Sequence, residues 1–518
     1  MVLKKLYRLA AFILCAVLVF AACAANKGEP QHTPTTTPSP ASNPATDYSN
    51  RTLRIAVNTE IDSFDPYISA AADTQAIMMN VFEGLTMTDP QGNIIPALAK
   101  KWDISEDEKI YTFYLEENVN FHNGEAFNAD DVIFSLKRLS GLDGGKAASS
   151  KFEDIASVEK TNDYTAIVTL NNADASFLAK CMTPIIPEGY TEQAEKPIGT
   201  GPYKFVAFQP GQLTRLALNE DYYNKENLGK IKTVEFVLMP DDSAKIMALR
   251  SGSIDLFEAS GETISQLGDE FAKFHTLSNT AQILALNNDV APFDNVKVRT
   301  AINYALNRQE IVDIVTGSTG YPIYTSFTPS MEAWYNKNTE STYAFNQEKA
   351  KELLKEVGYE NGFDMEITVA FDYQIHVDTA QVIAHQLEKI GIKVAIRTIE
   401  FAQWRSEVYE DANYHTTIIG LGGKVEPHDI IVRFESSYYR NFFNFSNAEY
   451  DKIVADGLLE ADFAKRKALY DKAQAIVTDE SAAIFIQDPG RDMACLKEVK
   501  GYTAYPIIYW DLSSLYFE

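Results

Sequence analysis

The hydrophobic and polar positions of this chain follow two periodicities, one typical of strands and the other of helices. The segment LRIAV, beginning at Leu53, is apolar and β-branched, and YTFYLEENVNF, from Tyr111 to Phe121, alternates as a half-exposed strand does. Helical spacing follows in NADDVIFSLKRL, where Asn128 is a candidate N-cap. The pattern therefore predicts strands and helices in close succession from about Thr52 onwards.

Further helices are predicted in the second half of the chain. Asp241 and Asp242 can cap the helix SAKIMALRSG, which ends at Gly252. VKVRTAINYALNRQEIVDIV is predicted as one helix, and NQEKAKELLKEVGY, AQVIAHQLEKIG and SNAEYDKIVADGLLE as three more, the last capped by Ser446 or Asn447. IKVAIRTI is a strand with strict alternation. This succession predicts an α/β fold with a mixed sheet.

Two segments are predicted to carry the chain between domains. ILALNNDVAPFDN, from Ile283 to Asn295, and AAIFIQDPG, from Ala482 to Gly490, each lead from an apolar strand into a turn-rich stretch. Two crossings imply a chain that leaves one domain, builds another and returns, and paired extended strands can bend together as a hinge. We expect a first lobe of residues 52–283 and 488–518 and a second lobe of residues 284–487.

The N-terminal segment has the pattern of an export signal with a tether behind it. A basic start precedes LAAFILCAVLVFAAC, an apolar run shorter than the roughly 20 residues that a spanning helix needs. The run ends in FAAC, which resembles a bacterial lipobox; Phe20 departs from the usual Leu or Val, so ordinary signal-peptidase cleavage is the alternative. We expect residues 1–22 to be a lipoprotein signal peptide, Cys23 to be lipidated, and the Pro/Thr/Ser-rich residues 23–51 to be a tether on the outer face of the cytoplasmic membrane.

Composition excludes some partners and leaves other questions open. The net charge of the 518 residues is -26, which argues against nucleic acid as a partner because phosphate binding needs a basic face. The 27 Tyr and 29 Phe fit either large cores or an aromatic-lined pocket. Cys181 and Cys495 remain after the signal and the lipidation candidate, and they can pair or stay as buried thiols.

No motif for catalysis or metal binding is found. The histidines form no HExxH, and neither GxSxG nor GxxxxGK[ST] occurs. The loop GLGGKVEPHD, residues 420–429, leaves three alternatives: a phosphate cradle, a metal site made of Glu426, His428 and Asp429, or one wall of a binding pocket. We predict that the chain is not an enzyme and has no cofactor and no metal site.

Several blocks of the chain, from about Arg54 to the C-terminus, resemble one family and stand in that family's order. The longest runs from Ile94 to Leu139 (IIPALAKKWDISEDEKIYTFYLEENVNFHNGEAFNADDVIFSLKRL), and the others are FEGL, PIGTGPYKF, MALRSGSIDL, VRTAINYALNRQEIV, AKELLKEVGY, QLEKIGIKV and SNAEYDKIV. They resemble the extracellular solute-binding proteins of family 5, which serve ABC importers for oligopeptides, dipeptides and nickel. The resemblance implies a two-lobed periplasmic-binding-protein type II (Venus flytrap) fold with an extra subdomain in the first lobe, roughly residues 86–200.

The resemblance also implies which residues contact the ligand. SAAAD, from Ser69 to Asp73, matches a stretch that runs beside a bound peptide and can pair with it like an added strand. By this match we expect ligand contacts from Ala70, Ala71, Ala72 and Asp73. Gln75 lies near the same wall, and Trp404 matches a frequent pocket aromatic. The alternatives are an ordinary loop for SAAAD and core packing for Trp404.

The loop GLGGKVEPHD lies where peptide-binding members of the family carry an aspartate that anchors the peptide α-ammonium. Leu421 stands at the position of a family tryptophan, and the place of the aspartate falls to Gly423 or Lys424, depending on one gap. Either way the acidic anchor is missing. A lysine there would repel an ammonium and attract a carboxylate. We predict Leu421, Gly423 and Lys424 as parts of a pocket wall.

The nickel-binding branch of the family matches the length of this loop and its Pro427-His428 better. Leu421 and Val425 nevertheless replace the aromatic residues of that branch, and the arginine of its chelate-binding members is missing between Cys181 and Tyr190. His428 is therefore interpreted as a packing residue.

These observations predict a monomeric substrate-binding lipoprotein of an ABC importer. It would capture peptides or peptide-like solutes by hinge closure and deliver them to a permease that works with an ATPase. The alternatives are a nickel or metal-chelate ligand, another small anionic solute, or a sensory receptor for extracellular peptides.

Overall fold

The structure, a computed structural model, describes residues 48–69, 71–371 and 373–518. The predicted signal peptide, Cys23, most of the predicted tether and Ala70 lie outside the described residues. The strands are β1 (Leu53–Val57), β2 (Thr86–Thr88), β3 (Ile94–Pro96), β4 (Ala99–Ile104), β5 (Ile110–Leu115), β6 (Ile155–Asn162), β7 (Thr165–Leu170), β8 (Tyr203–Gln209), β9 (Leu213–Leu218), β10 (Thr233–Leu238), β11 (Leu256–Ala259), β12 (Phe271–Thr276), β13 (Thr280–Leu286), β14 (Tyr321–Pro322), β15 (Asp364–Ala370), β16 (Lys393–Ile399), β17 (Thr416–Gly422), β18 (Ala483–Asp488), β19 (Arg491–Leu496), β20 (Val499–Lys500) and β21 (Tyr516–Phe517).

The helices lie between these strands. They are α1 (Ala72–Met78), α2 (Ala129–Ser140), α3 (Phe177–Lys180), α4 (Asp242–Ser251), α5 (Gly261–Ser265), α6 (Val296–Ala305), α7 (Arg308–Val315), α8 (Gln347–Glu356), α9 (Gln374–Glu388), α10 (Phe401–Trp404), α11 (His428–Ile431), α12 (Ala448–Leu458) and α13 (Phe463–Asp479). In the part of the chain that the structure describes, none of them is both long and apolar enough to cross a bilayer.

The first lobe is built on a seven-stranded mixed sheet in the order β12-β19-β11-β1-β10-β9-β8. The predicted strand LRIAV is β1, which runs parallel to both of its neighbours, β10 and β11. Leu53 and Ile55 are completely buried in it. A near-continuous apolar run is what a strand covered on both faces requires, and this explains why LRIAV lacks polar alternation.

The second lobe is built on a six-stranded mixed sheet in the order β14-β18-β13-β17-β15-β16. β15 is parallel to β16 and to β17, whereas β13 is antiparallel to β17 and β18. β17 ends at Gly422, so the loop GLGGKVEPHD begins inside this strand and leaves the sheet at its end.

A separate antiparallel sheet, β4-β5-β7-β6, lies within residues 86–200, for which the sequence predicts an extra subdomain. Helix α2 packs on it through a buried face that includes Val132 and Leu136. Asn128 caps this helix as predicted: its side chain accepts from the N–H of Asp130, and Asp131 accepts from the N–H of Asn128. This reciprocal capping box explains why the helix begins where the pattern places it.

The chain changes sheet twice, and the two crossings lie side by side. β12 ends at Thr276 in the first sheet and β13 begins at Thr280 in the second. The return lies between β18 and β19, where Asp488 Oδ1 accepts from the N–H and the hydroxyl of Ser278 at 2.9 and 2.6 Å. The sequence places the boundary between the lobes after Ile283, which is inside β13. The structure instead places the whole of β13 in the second sheet, because β17 pairs with it along its full length.

Asn279 occupies the first crossing in a left-handed conformation, with φ 53°, and is buried. Its carbonyl accepts from the N–H of Gly423 at 2.5 Å, and its Nδ2 donates to the carbonyl of Pro506 at 2.8 Å. The hydroxyl of Thr328 donates to its Oδ1 at 2.9 Å. Asparagine tolerates positive φ better than most residues, so this side chain fits both the turn and the contacts.

One predicted helix is divided in the structure. VKVRTAINYALNRQEIVDIV forms α6 and α7, because Leu306 is extended and the Asn307 side chain accepts from the N–H of Glu310. An asparagine side chain competes for backbone donors, which favours a new N-cap over continuation of a helix. The predicted caps at Asp241, Gly252 and Asn447 are confirmed.

Cys181 and Cys495 are both buried and unbonded, which settles the alternative left open by the sequence in favour of free thiols. Cys181 packs in the core of the extra subdomain, and Cys495 lies in β19 of the seven-stranded sheet, with its side chain in the first-lobe core. Burial raises the pKa of both thiols, which keeps them protonated.

Candidate functional site

A cavity of about 720 Å³ opens between the first lobe and the loop that follows β17. Most of its lining comes from the first lobe, and Lys424, Val425, Glu426 and Asp429 supply the second-lobe wall. Its volume lies in the range of small-molecule sites, about 300–1,000 Å³.

The first-lobe wall has an apolar part made of flexible and aromatic side chains. Methionines dominate it, with aromatic rings beside them: Met78, Met79, Met87, Met182, Phe64, Phe82 and Tyr67. Methionine is unbranched and polarizable, so such a wall can adjust to apolar groups of different shape.

The same wall contains a carboxylate held by hydroxyl groups. Glu83 accepts hydrogen bonds from the hydroxyls of Tyr222 at 2.7 Å and Tyr223 at 3.2 Å through Oε1, and from the hydroxyl of Thr200 at 2.9 Å through Oε2. Burial raises the pKa of Glu83 to about 7, and the hydroxyl donors oppose that rise. The wall therefore changes charge close to neutral pH.

The C-terminal segment completes the first-lobe wall. Tyr505, Ile507, Tyr509 and Asp511 line the cavity. The Tyr505 hydroxyl donates to Asp511 Oδ2 at 3.1 Å, and Oδ1 of Asp511 accepts from the N–H of Ser513 at 3.2 Å. The polar groups of this C-terminal segment are therefore hydrogen-bonded to one another, as are the polar groups around Glu83.

The second-lobe wall rests on a buried ion pair. Arg466 Nη2 lies 2.5 Å from Glu426 Oε1, and both side chains are nine-tenths buried or more. Arg466 also donates to the carbonyl of Gly457 at 2.9 Å, and Glu426 Oε1 accepts from the N–H of His428 at 3.0 Å. Burial raises the pKa of Glu426, and the Arg466 charge opposes that rise. This pair fixes the loop against helix α13.

Close packing against Asn279 leaves no room for a side chain at position 423 of the loop. A Cβ on Gly423 would lie 2.1 Å from Cγ and 2.2 Å from the carbonyl oxygen of Asn279. No residue larger than glycine fits there without movement of the crossing. Of the two positions that the sequence offers for the missing aspartate, only Lys424 therefore has a side chain, and it lines the cavity.

The SAAAD stretch surrounds the start of helix α1. The N–H of Ala71 donates to Asp62 Oδ2 at 2.9 Å, Ala72 begins the helix, and Asp73 Oδ2 accepts from the Thr59 hydroxyl at 2.8 Å. Gln75 lines the cavity and donates to the carbonyl of Ser69 at 3.1 Å. Among the described residues that the sequence predicts as ligand contacts on either wall, Gln75 and Lys424 are the two that line this cavity.

Trp404 is buried in the second-lobe core, where its Nε1 donates to the hydroxyl of Thr417 at 2.8 Å. Its ring stacks with Phe401 and Tyr409, at centroid distances of 5.7 and 6.0 Å. Leu421 is partly buried against the same core. Neither residue borders the 720 Å³ cavity.

His428 is turned towards the core, with Nδ1 3.4 Å from the hydroxyl of Tyr470. Burial lowers its pKa to about 4, and the positive charge of Arg466 adds to that effect. Among residues 48–69, 71–371 and 373–518, no group of three or more His, Cys, Asp or Glu is arranged to hold a metal ion.

Sequence reasoning missed most of the first-lobe wall. Glu83 stands in FEGL, one of the blocks of the family, but nothing local shows that Tyr222 and Tyr223 bind it. Lys151 and Asp511 belong to no motif. The aromatic-rich tail YTAYPIIYWDLSS was the one available signal for the C-terminal part of the wall.

Comparison with known proteins identifies the chain. Residues 93–441 match the family model described as bacterial extracellular solute-binding proteins, family 5 Middle. The chain belongs to this family. Its members bind solutes without transforming them, which confirms the prediction that the chain is not an enzyme.

Three relatives show the range of this family. The chain is 29% identical over 459 residues to heme-binding protein A of Haemophilus influenzae, covering 80% of this chain and 83% of that protein. It is 28% identical over 463 residues to di/tripeptide-binding protein 1 of Pseudomonas aeruginosa, covering 80% and 85%.

The third relative is a solved structure, the ABC transporter-associated periplasmic binding protein DppA of Helicobacter pylori in complex with the peptide STSA. It matches with a TM-score of 0.75 and 27% identity, over 90% of this chain and 98% of that chain. The similarity confirms the predicted periplasmic-binding-protein type II fold for this family-5 chain.

Proposed function

We propose that this family-5 protein captures peptides or peptide-like solutes in the cavity between its lobes and delivers them to an ABC permease. The cavity itself carries the proposal: about 720 Å³ of space with a methionine-rich wall on one lobe and a charged loop on the other. The peptide relatives in Helicobacter pylori and Pseudomonas aeruginosa support this ligand class.

Capture by hinge closure is supported by contacts that join the two lobes, one at the cavity wall and one away from it. The N–H of Ala175 in the first lobe donates to the carbonyl of Leu458 in the second at 2.9 Å. Lys151 lies 3.6 Å from Asp429 across the same boundary. A solute that touches both walls would shift the population towards the closed state by its differential affinity for that state.

Tethering by a lipidated Cys23 and action as a monomer belong to the same proposal. The tethering is supported by the FAAC motif and the Pro/Thr/Ser-rich segment behind it. Radiolabelled palmitate would label the wild-type chain and not a Cys23→Ala variant. Labelling of both chains alike would contradict lipidation at this residue.

Native mass spectrometry of the protein purified in its exported form tests the ligand class. After denaturation we expect a series of short peptides to be released, and the same peptides to raise the unfolding temperature when added back. Release of a nickel chelate or a non-peptide anion instead would overturn the peptide proposal.

The charged loop motivates the second candidate function, binding of a small anionic solute or a metal chelate. Lys424 lines the cavity where an acidic residue would hold a peptide ammonium. Sensory reception is the third candidate, and loss of peptide uptake after deletion of the gene would separate delivery from sensing.

A further inference from the structure

Lys424 lies in a loop whose backbone is held on both sides, and its ammonium has no hydrogen-bond or ion-pair partner among the described residues. Gly423 before it is held on Asn279 at 2.5 Å, and Glu426 after it is held by Arg466. The Lys424 side chain lines the cavity. Within residues 48–69, 71–371 and 373–518, no hydrogen bond or ion pair reaches its ammonium.

The groups around Lys424 carry an excess of positive charge. Lys151 reaches the same part of the cavity from the first lobe, 3.6 Å from Asp429. Arg433 does not line the cavity, and its guanidinium donates to the carbonyl of Gly422 at 2.8 Å; among the described residues no carboxylate forms an ion pair with it. Three cations therefore share one carboxylate, since Glu426 is already paired with Arg466.

The electrostatics of the loop agree with this geometry. The surrounding groups partly desolvate the Lys424 ammonium and so lower its pKa, and the charges of Arg433 and Lys151 lower it further, with Asp429 alone opposing them. The remaining carboxylates of the cavity, Glu83, Glu226 and Asp511, lie on the first-lobe wall.

The ligand group that would complement the positive charge of this cluster is an anion. A peptide ammonium or a metal cation entering here would meet the charges of Lys424 and Lys151, whereas a carboxylate or phosphate would accept charge-assisted hydrogen bonds from them. Because Lys151 and Lys424 come from different lobes, an entering anion would also relieve the repulsion between the two walls.

We infer that Lys424 and Lys151 form an anion clamp that holds the carboxylate or phosphate end of the solute between the two lobes, with the charge of Arg433 adding to the positive potential of the loop. The clamp rests on the proposed function of this cavity, and it reverses the polarity of binding: a peptide is held by its C-terminal or side-chain carboxylate instead of by its α-ammonium at this loop. Solutes with a free anionic group are the class it selects.

Four forms of one tetrapeptide test the clamp: free at both ends, N-acetylated, C-amidated, and blocked at both ends. Titration calorimetry on the full-length protein should give similar affinity for the free and acetylated forms. Amidation should weaken binding about 10- to 100-fold, the range expected for one charge-assisted contact.

Two substitutions and a control assign the effect to the loop. Lys424→Met should abolish the preference for the free carboxylate, and Lys424→Asp should reverse it in favour of amidated peptides, a result that misfolding cannot produce. Lys472, exposed on helix α13, has the same charge and lies away from the cavity, so Lys472→Met should behave as the wild type.

The outcomes separate the clamp from the peptide function. Equal binding of amidated and free peptides, unchanged by Lys424→Asp, overturns the clamp and leaves the peptide function standing. If no form of the tetrapeptide binds, this peptide sequence is not a ligand, and binding of succinate and inorganic phosphate is measured instead to test the clamp. Binding of either anion that is lost in Lys424→Met supports it, and binding of neither, or binding unaffected by the substitution, overturns it.

Discussion

The two walls of the cavity are built on different principles. On the first lobe, Glu83 is surrounded by hydroxyl donors and Asp511 is bonded to Tyr505, so the polar groups are satisfied before any solute arrives. On the second lobe, Glu426 is satisfied by Arg466, but Lys424, two residues away, has no such partner among the described residues. The first-lobe wall thus supplies mainly shape and apolar area, with Lys151 as a cation on it, and the second-lobe wall supplies the unpaired positive charge of Lys424.

The difference teaches where specificity resides. A methionine-rich wall accommodates many apolar shapes, whereas a fixed cation discriminates strongly between an anion and any other group. The contacts that hold each wall together can therefore be altered separately from the groups that the wall presents to a solute.

The largest effect is expected from breaking the ion pair under the second-lobe wall. Glu426→Gln leaves the buried Arg466 guanidinium without its counter-charge, and we expect a loss of about 3–5 kcal/mol in the free energy of unfolding. Urea denaturation of the ligand-free protein measures this. Asp456→Asn removes an exposed pair with Lys452 and should cost less than about 1 kcal/mol. Equal costs for the two variants would contradict a structural role for the buried pair.

A smaller loss is expected from Gly423→Ala. The added Cβ collides with the backbone and side chain of Asn279, and relief of such overpacking typically costs about 1–3 kcal/mol. At Gly422 a Cβ meets no atom within 4 Å, so Gly422→Ala is the matched control and should stay within about 0.5 kcal/mol of the wild type. Thermal unfolding of both variants measures the difference, and parity between them would show that the loop is not held at the crossing.

The first-lobe wall should show its charge as a dependence on pH. The folded protein keeps the proton of Glu83 up to about pH 7, whereas the unfolded chain releases it near the ordinary value of 4.5. The native state therefore binds more protons between these values, and its stability relative to Glu83→Gln should fall as the pH rises from about 4.5 to about 7. Parallel stability profiles for the two proteins over this range would refute the raised pKa.

The smallest effect on stability is expected at the clamp itself. Lys151 and Asp429 are partly exposed and 3.6 Å apart, so Lys151→Met should change the unfolding free energy by less than about 1 kcal/mol. Differential scanning calorimetry without ligand would reveal a larger loss, and such a loss would make Lys151 a structural residue.

Short-range patterns predicted the fold well, because the interactions that define its elements are local. Asn128 and Asp241 bond backbone groups within three residues, so their caps could be recognised in the sequence. Asn307 acts over the same distance, but the helical pattern on both sides of it concealed the break. The family resemblance supplied the lobes, which local periodicity alone does not determine.

The cavity was harder to predict because its walls combine distant residues. The hydroxyl groups that bind Glu83 lie more than a hundred positions away along the chain, and Lys151 meets Asp429 across the two lobes. The choice between Gly423 and Lys424 depended on the proximity of Asn279, which no sequence pattern records. From the sequence, Trp404 was compatible with either a pocket wall or the core. The structure places it in the core, where its indole N–H donates to the hydroxyl of Thr417.

The position of Asn279 bears on how long a solute stays bound. Its carbonyl holds the clamp loop at Gly423, while its side chain holds Pro506, beside the cavity residues Tyr505 and Ile507. A rotation at the crossing that separates the walls would stretch the hydrogen bond to one of them, so Asn279 contributes to the barrier to opening together with the Ala175–Leu458 and Lys151–Asp429 contacts. Asn279→Ala would lower that barrier, and its mark would be a shorter residence time at nearly unchanged association rate.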